Sequence, residues 1–562
     1  MYKKTIYLIV LFFTLFITNE VSAQNPQVKK AAQAVFSLNT FRADGTLIST
    51  SHGVFVSSNG EAISQWTPFI GAAKAVVIDS KGKKYDVDGL IGANDIYDVC
   101  KFHVKGTTDT APVAKTMSQP NSKLWLAQYS VKGARAVLAT VSKLEKFSIS
   151  GNSQEYPYYI MDVKTPEDVL YCPIINDGGE VVALVQKTME NSLNAVSALY
   201  PTEMKIEKIG SSSSTLSQSL IAPMLPSDYA DAQIAFIVAG QTRKGDAYKA
   251  IVEQFIQQFP QKEDGYQARA RLRAGEKDFA GAASDMEKAI SVAEDKAEVH
   301  YAYSNLILDK ELYMSEDKHD AWNMEKALDE AKKAYEIAGA PAYLQQQGRI
   351  FFAMQKYDEA YDIYMKLQDT NMAGPETMFA ATQCRQNANA PLDEIIMLMD
   401  STIAVCPQPL TFQSAPYVMQ RGLIYQQHGQ WRKAVLDFNK FEKLMVGNRI
   451  PADFYYNRFV CEREGHLYQQ ALDDITKATE LAPNAAVYFC ELASLQVQLK
   501  RNEDAIASAN KALLLDRKSA DAYAILGVAQ CILGKKHEGI LNLEEAKSLG
   551  YEAADKLIEK YK

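Results

Sequence analysis

Cysteine and histidine are both sparse in this 562-residue chain, with seven of each, and neither is patterned. Cys100, Cys172, Cys384, Cys406, Cys461, Cys490 and Cys531 form no C-x-x-C pair and have no histidines at ligand spacing, which excludes the usual zinc frameworks. Their odd number leaves at least one thiol outside any pairing, and their apolar neighbours mark them as small buried hydrophobes. There is no P-loop, no G-x-G-x-x-G after a strand and no H-E-x-x-H, so no cofactor and no metal is expected. Positive charge is not in excess. The net charge is −8, and no basic patch is interleaved with aromatics, which argues against nucleic acid as a partner. No apolar run reaches the roughly 18–20 residues that a membrane span needs.

The longest such run lies at the start. Lys3 and Lys4 precede Ile6–Ile17, which only Thr14 interrupts, and the small residues of Val21–Ala23 follow. This is the plan of a signal peptide over residues 1–23, cleaved before Gln24. No cysteine adjoins that site, so a lipid anchor is not expected. The expected product is exported, periplasmic or secreted to the cell surface, with no transmembrane segment after cleavage.

The remainder divides by hydrophobic period. Residues 24–210 carry short β-branched and aromatic runs broken by Gly, Asn and Asp, as in GVFVSS, KLWLAQYS and YYIMDVK, which predicts an all-β barrel or sandwich. Residues 211–228, SSSSTLSQSLIAPMLPSD, are Ser-rich with two prolines and read as a linker. From 229 to 562 the apolar spacing is helical and repeats. Tyr455, Phe489 and Tyr523 are 34 residues apart, as are Phe459, Ala493 and Gly527, then Ala471, Ala505 and Gly539, and Ala478, Ala512 and Ala546. Looser matches continue upstream through Gly422, Gly348, Ala327 and Tyr266. The period is that of the tetratricopeptide repeat, and about nine helical hairpins are expected to stack into a superhelix. No separate capping helix is evident after Leu549.

Three segments of the β-rich half carry a second resemblance. They are HGVFVSSNGEAIS (His52–Ser64), GANDIYDVCKFHV (Gly92–Val104) and CPIINDGGEVVAL (Cys172–Leu184). In order and rough spacing they resemble the hairpin before the catalytic His, the segment around the catalytic Asp and the run after the catalytic Ser of trypsin-like serine proteases, the HtrA-type branch above all. The resemblance implies a double β-barrel. It places the family's Asp on Asp98, its His near Thr67 and its Ser on Leu170. Leucine offers no nucleophile, threonine is no base at neutral pH, and the glycine-rich oxyanion frame is replaced by DVLYC. A degenerate, non-catalytic domain is expected. An endopeptidase using a displaced nucleophile such as Cys172 is the alternative, although the domain's histidines, His52 and His103, sit at neither matching position.

The expected architecture is therefore multidomain: a trypsin-like double β-barrel followed by an all-α tetratricopeptide solenoid. Resemblance to other such repeats places groove-lining, peptide-binding candidates at Gln267, Arg271, Gln345, Arg349, Phe352, Tyr456 and Arg463. Protein or peptide ligands in that groove are the expected partners, arginine being suited to carboxylates.

Overall fold

The structure is a computed structural model that describes residues 25–106, 108–133, 135–149, 153–163, 169–189, 192–207 and 213–562. The signal peptide read at 1–23 lies outside the described residues. Two compact units are present. The first runs to Ala302 and takes in Ser315–His319; the second holds Tyr303–Met314 and Asp320–Lys562.

A short helix, α1 (Pro26–Ala32), enters the first of two closed six-stranded antiparallel barrels. Its strands are β1 (Val35–Phe41), β2 (Leu47–Phe55), β3 (Glu61–Gln65), β4 (Lys74–Ile78), β5 (Lys84–Asn94) and β6 (Val99–Val104), joined in the order β1-β2-β3-β6-β5-β4. The second barrel repeats that order with β7 (Lys123–Gln128), β8 (Arg135–Ser148), β9 (Glu155–Asp162), β10 (Pro173–Ile175), β11 (Val181–Met189) and β12 (Ser192–Ser197). Alternation in sequence becomes alternation in burial: Leu124 and Leu126 of β7 face the second core, and Ala75 and Val77 of β4 face the first. Gly53 marks a close approach. A Cβ there would stand 2.5 Å from both the Ile63 carbonyl oxygen and the Phe36 ring.

The segment read as a linker is ordered where it is described. Leu216, Ser219, Ile221, Ala222 and Leu225 are buried. Leu220 donates to the Ala72 carbonyl (2.9 Å), and Leu90 donates to the Ala222 carbonyl (3.0 Å) and accepts from the Met224 amide (2.7 Å). Buried Arg243 donates to the Leu216 and Ser219 carbonyls. The Ser and Pro composition suggested solvent, but the apolar residues between them lay the strap on the first barrel. It is a packed connection and not a flexible linker.

After α2 (Leu199–Glu203), nineteen helices follow from Tyr229 to Tyr561 among the described residues. They pair as hairpins: α3 and α4 (Tyr229–Thr242, Gly245–Gln258), α5 and α6 (Glu263–Gly275, Phe279–Val292), α7 and α8 (Lys296–Tyr313, Met324–Ala338), α9 and α10 (Pro341–Ala353, Tyr357–Lys366), and α11 and α12 (Pro375–Asn387, Leu392–Ala404). Then come α13 and α14 (Ala415–Gln427, Trp431–Leu444), α15 and α16 (Ala452–Glu464, Tyr468–Leu481), α17 and α18 (Ala486–Gln498, Asn502–Leu515), and α19 and α20 (Ala520–Ile532, Lys536–Ser548). In the last three pairs each helix starts 34 residues after its counterpart. The small residues are where helices meet: a Cβ on Gly527 would stand 2.7 Å from the Gly539 carbonyl oxygen. This is a tetratricopeptide-type solenoid following a trypsin-like double barrel.

One expectation fails at the C-terminus. A further helix, α21 (Ala554–Tyr561), closes the last pair, burying Ala554 and Ile558, with Ile558 packed beside Leu543 and Cys531. Its charged outer face is that of a cap. Eight residues outside the 34-residue period gave the repeat pattern nothing to match.

Candidate functional site

The three motif hairpins of the barrels, β2–β3, β5–β6 and β10–β11, bring Thr67, Asp98 and the Leu170–Tyr171 turn together. Thr67 begins a 3₁₀ turn after β3, and Asp98 occupies the tight β5–β6 turn at φ +49°. Asp98 Oδ1 accepts from the Thr67 amide (2.7 Å) and the Thr67 hydroxyl (2.8 Å). Its Oδ2 accepts from Gln65 Nε2 (2.7 Å) and from the phenol of Tyr171 (2.9 Å). Four donors leave the carboxylate saturated, with no base beside it to orient.

Leu170 presents an exposed aliphatic side chain, and its carbonyl oxygen meets Nδ1 of buried His52 at 3.2 Å. Tyr171, at φ +61°, directs its ring inward. Burial, then the adjacent Asp98 charge, drives its phenol well above the ordinary tyrosine range, so it stays a neutral donor. The amides of Tyr171 and Cys172, which follow the nucleophile's place, are both engaged, donating to Val185 O (2.7 Å) and Val169 O (3.1 Å). Cys172 is fully buried among Val169, Ile174 and Val182 in the second core, which removes it as a surface nucleophile. His103 is held at Nδ1 by Asp88 and at Nε2 by the Asn59 carbonyl, both at 2.7 Å, and the Asp88 bond raises its pKa. It joins β6 to β5 and to the β2–β3 turn.

The bonds Tyr171–Asp98, His52–Leu170 and Gln186–Tyr97 all run from one barrel to the other. These bonds weld the two barrels together around Asp98 and the Leu170–Tyr171 turn. Sequence reading reached Asp98 through its motif but missed Tyr171, whose role depends on a positive φ and a contact 73 residues away. Tyr171→Phe keeps the ring and removes only the bond. It is expected to cost the β-domain about 1.5–3 kcal/mol, because the acceptor is charged and half-buried. Calorimetry of the β-domain transition checks this, and an unchanged midpoint would show the weld to be inert.

The groove candidates separate. Gln267 is half-buried and Arg271 exposed on α5, in the first unit. The others lie in the second unit. There Tyr456 packs on Tyr488 (ring centroids 5.2 Å apart) and Arg463 already pairs with Glu491 (2.8 Å), so Arg463 is not an open carboxylate receptor. Arg349 and Phe352 line one cavity with Leu308, Tyr357 and Tyr364, while Gln345 lies outside that lining.

A recurrent ion pair to a buried aspartate went unread. Arg269 grips Asp285, Arg421 grips Asp437 and Arg458 grips Asp474, each bidentately and each 16 residues on. Each arginine also reaches back to an acid of the preceding helix: Glu253, Asp400 or Glu442. The arginine-x15-aspartate spacing was present in the sequence as the available signal.

No family model matches the chain. Stretches of it resemble the TPR repeat-containing thioredoxin TDX of Arabidopsis thaliana, 33% identical over 85 residues, 15% of this chain and 22% of that protein. The small glutamine-rich tetratricopeptide repeat-containing protein 2 of Saccharomyces cerevisiae is 29% identical over 103 residues, 16% of this chain and 30% of that one. The chain thus spans less than a third of the length of these relatives. Among solved structures, the active form of the M. tuberculosis protease Rv3671c is 14% identical, covering 32% of this chain and 82% of that one at a TM-score of 0.28. Its inactive form gives 13%, with 91% of that chain covered and a TM-score of 0.26.

Proposed function

We propose that this chain is an exported, non-catalytic scaffold that binds proteins or peptides through its tetratricopeptide array, with the degenerate barrel pair as a structural partner. The observation that carries the non-catalytic reading is the saturated Asp98 carboxylate, flanked by Thr67 and Leu170 where a base and a nucleophile would be needed. Acyl transfer requires all three chemical roles, and two side chains here supply none of them. Export rests on the Lys3–Ala23 pattern, and protein binding rests on the repeat architecture. Among the described residues no helix is long and apolar enough to cross a membrane.

The test uses the protein recovered from the exported fraction, whose intact mass is expected to lack residues 1–23. It is incubated with a fluorophosphonate serine probe, an iodoacetamide thiol probe and casein. No serine labelling and intact casein are expected. Casein cleavage that Cys172→Ala abolishes would establish the peptidase reading instead.

A further inference from the structure

The cavity that holds Arg349 and Phe352 has a volume of about 450 Å³ and is walled by the second unit's part of α7 and by α9, α10 and α11. Its lining is largely apolar, with Leu308, Leu312, Phe352, Tyr357 and Tyr364 around a single cationic group, the Arg349 guanidinium. Leu308 is buried, Leu312 is 45% exposed, and Phe352 and Tyr357 form an edge-to-face pair at 5.4 Å. The first helices of the following units supply a contrast. Arg385, Arg421, Arg458 and Arg463 each hold at least one carboxylate within ion-pair distance. Arg349 holds an amide, donating to Gln346 Oε1 at 3.0 Å, and no ion pair forms at it among the described residues. Of the arginines on the first helices from α9 onward, Arg349 is the one that forms no ion pair among the described residues, which leaves its charge to the groove.

We propose that this cavity is a peptide subsite that takes a large apolar side chain on the Phe352 and Leu312 side and an acidic side chain two residues away at Arg349. The inference rests on the protein-binding reading above and narrows it. The spacing follows from geometry. Arg349 and Phe352 are three residues apart on one helix, which sets their Cβ atoms about 5–6 Å apart. In an extended peptide, residues i and i+2 share a face and lie about 6.6 Å apart, so an apolar-x-acidic segment spans the two groups without distortion. A basic residue at the second position would meet like charge, and a neutral one would leave the guanidinium with its amide alone.

The test has two stages with the full chain. A displayed library of random dodecamers is first panned against it. Amidated, fluorescein-labelled Gly-Ser-Phe-Ser-Glu-Ser-Gly and its Glu→Gln and Glu→Lys counterparts are then compared by fluorescence anisotropy. Amidation removes the chain-end carboxylate, so only the side chain can supply the acid. The glutamate peptide is expected to bind about tenfold more tightly than the glutamine peptide, the gain of one charge-assisted contact. Arg349→Gln is expected to erase that difference while leaving the glutamine peptide's affinity unchanged, and Arg349→Lys to keep part of it. Arg349 is exposed, so these variants retain the fold, which their melting temperatures verify. Equal binding of the two peptides, or discrimination that survives Arg349→Gln, overturns the proposal. If the panned library is still retained, the scaffold reading stands without it. Retention of no peptide at either stage overturns both.

Discussion

Arg458→Met is expected to lower the stability of the helical array by about 3–5 kcal/mol, the cost of orphaning the buried Asp474 carboxylate. Arg458 is 6% exposed and makes bidentate bonds to Asp474 (2.6 and 2.8 Å) and single bonds to Glu442 (2.6 Å) and Asn439 (2.8 Å). Its guanidinium also lies over the Phe454 and Tyr455 rings. Methionine keeps the length and apolar contact of the stem, so the loss reports the charge. Asp474 and Glu462, both buried, would then face each other with no cation between them. A surface pair provides the scale: Arg501 and Asp504 are each half exposed, and Arg501→Met should cost less than about 1 kcal/mol. Urea unfolding followed by the helical dichroism compares the two. A loss at Arg458 no larger than at Arg501 would mean that water reaches the cluster. Adding Asp474→Leu to Arg458→Met should recover much of the loss, since a buried apolar pair needs no counter-charge.

How far such features can be read in sequence depends on how locally they are encoded. The change from alternating to helical period is written in each element's own residues, and the architecture follows it. The 34-residue spacing reflects contacts between neighbouring helices, such as Gly527 on Gly539, so it repeats along the chain. Asp98 was reachable because its hairpin motif brackets it. Tyr171 was not: its hydroxyl reaches Asp98 only once two barrels have closed and its backbone has turned left-handed. The strap over 213–228 misled for the opposite reason. Its serines dominate the composition, while Leu216, Ile221 and Leu225 determine where it lies. The groove candidates were placed by repeat position, which carries no information on whether a neighbouring helix offers an acid. Glu491 neutralises Arg463 in this way, and Arg349 has no such neighbour among the described residues.

Glu462→Gln is expected to stabilise the array, and only toward neutral and alkaline pH. Glu462 is 3% exposed, its Oε2 meets no hydrogen-bonding group, and its carboxyl bonds the Asp474 carboxylate. Burial foremost, then the Asp474 charge, lifts its pKa from 4.5 to about 8 against the opposing pull of Arg458. It therefore sits near neutrality as a protonated acid, in effect an amide. The next two units make that equivalence concrete, since 34 and 68 residues on the same position is Gln496 and Gln530. The pH dependence has a definite sign. Below the unfolded value of 4.5 the carboxyl is protonated whether the chain is folded or not, and folding is not opposed. As pH rises from there toward 8 the unfolded chain releases a proton that the folded chain keeps, so stability falls by at most about 1.4 kcal/mol per pH unit. Above 8 both forms are ionised and the loss is complete. Glutamine has no proton to release. The stability difference between variant and wild type should be near zero at about pH 4, widen through neutrality and level off at a few kcal/mol above about pH 8. Urea titrations at several pH values measure that difference directly. Parallel curves across this window would mean that Glu462 ionises as freely in the fold as in the unfolded chain. The buried cluster would then have to carry a second negative charge that Arg458 alone neutralises.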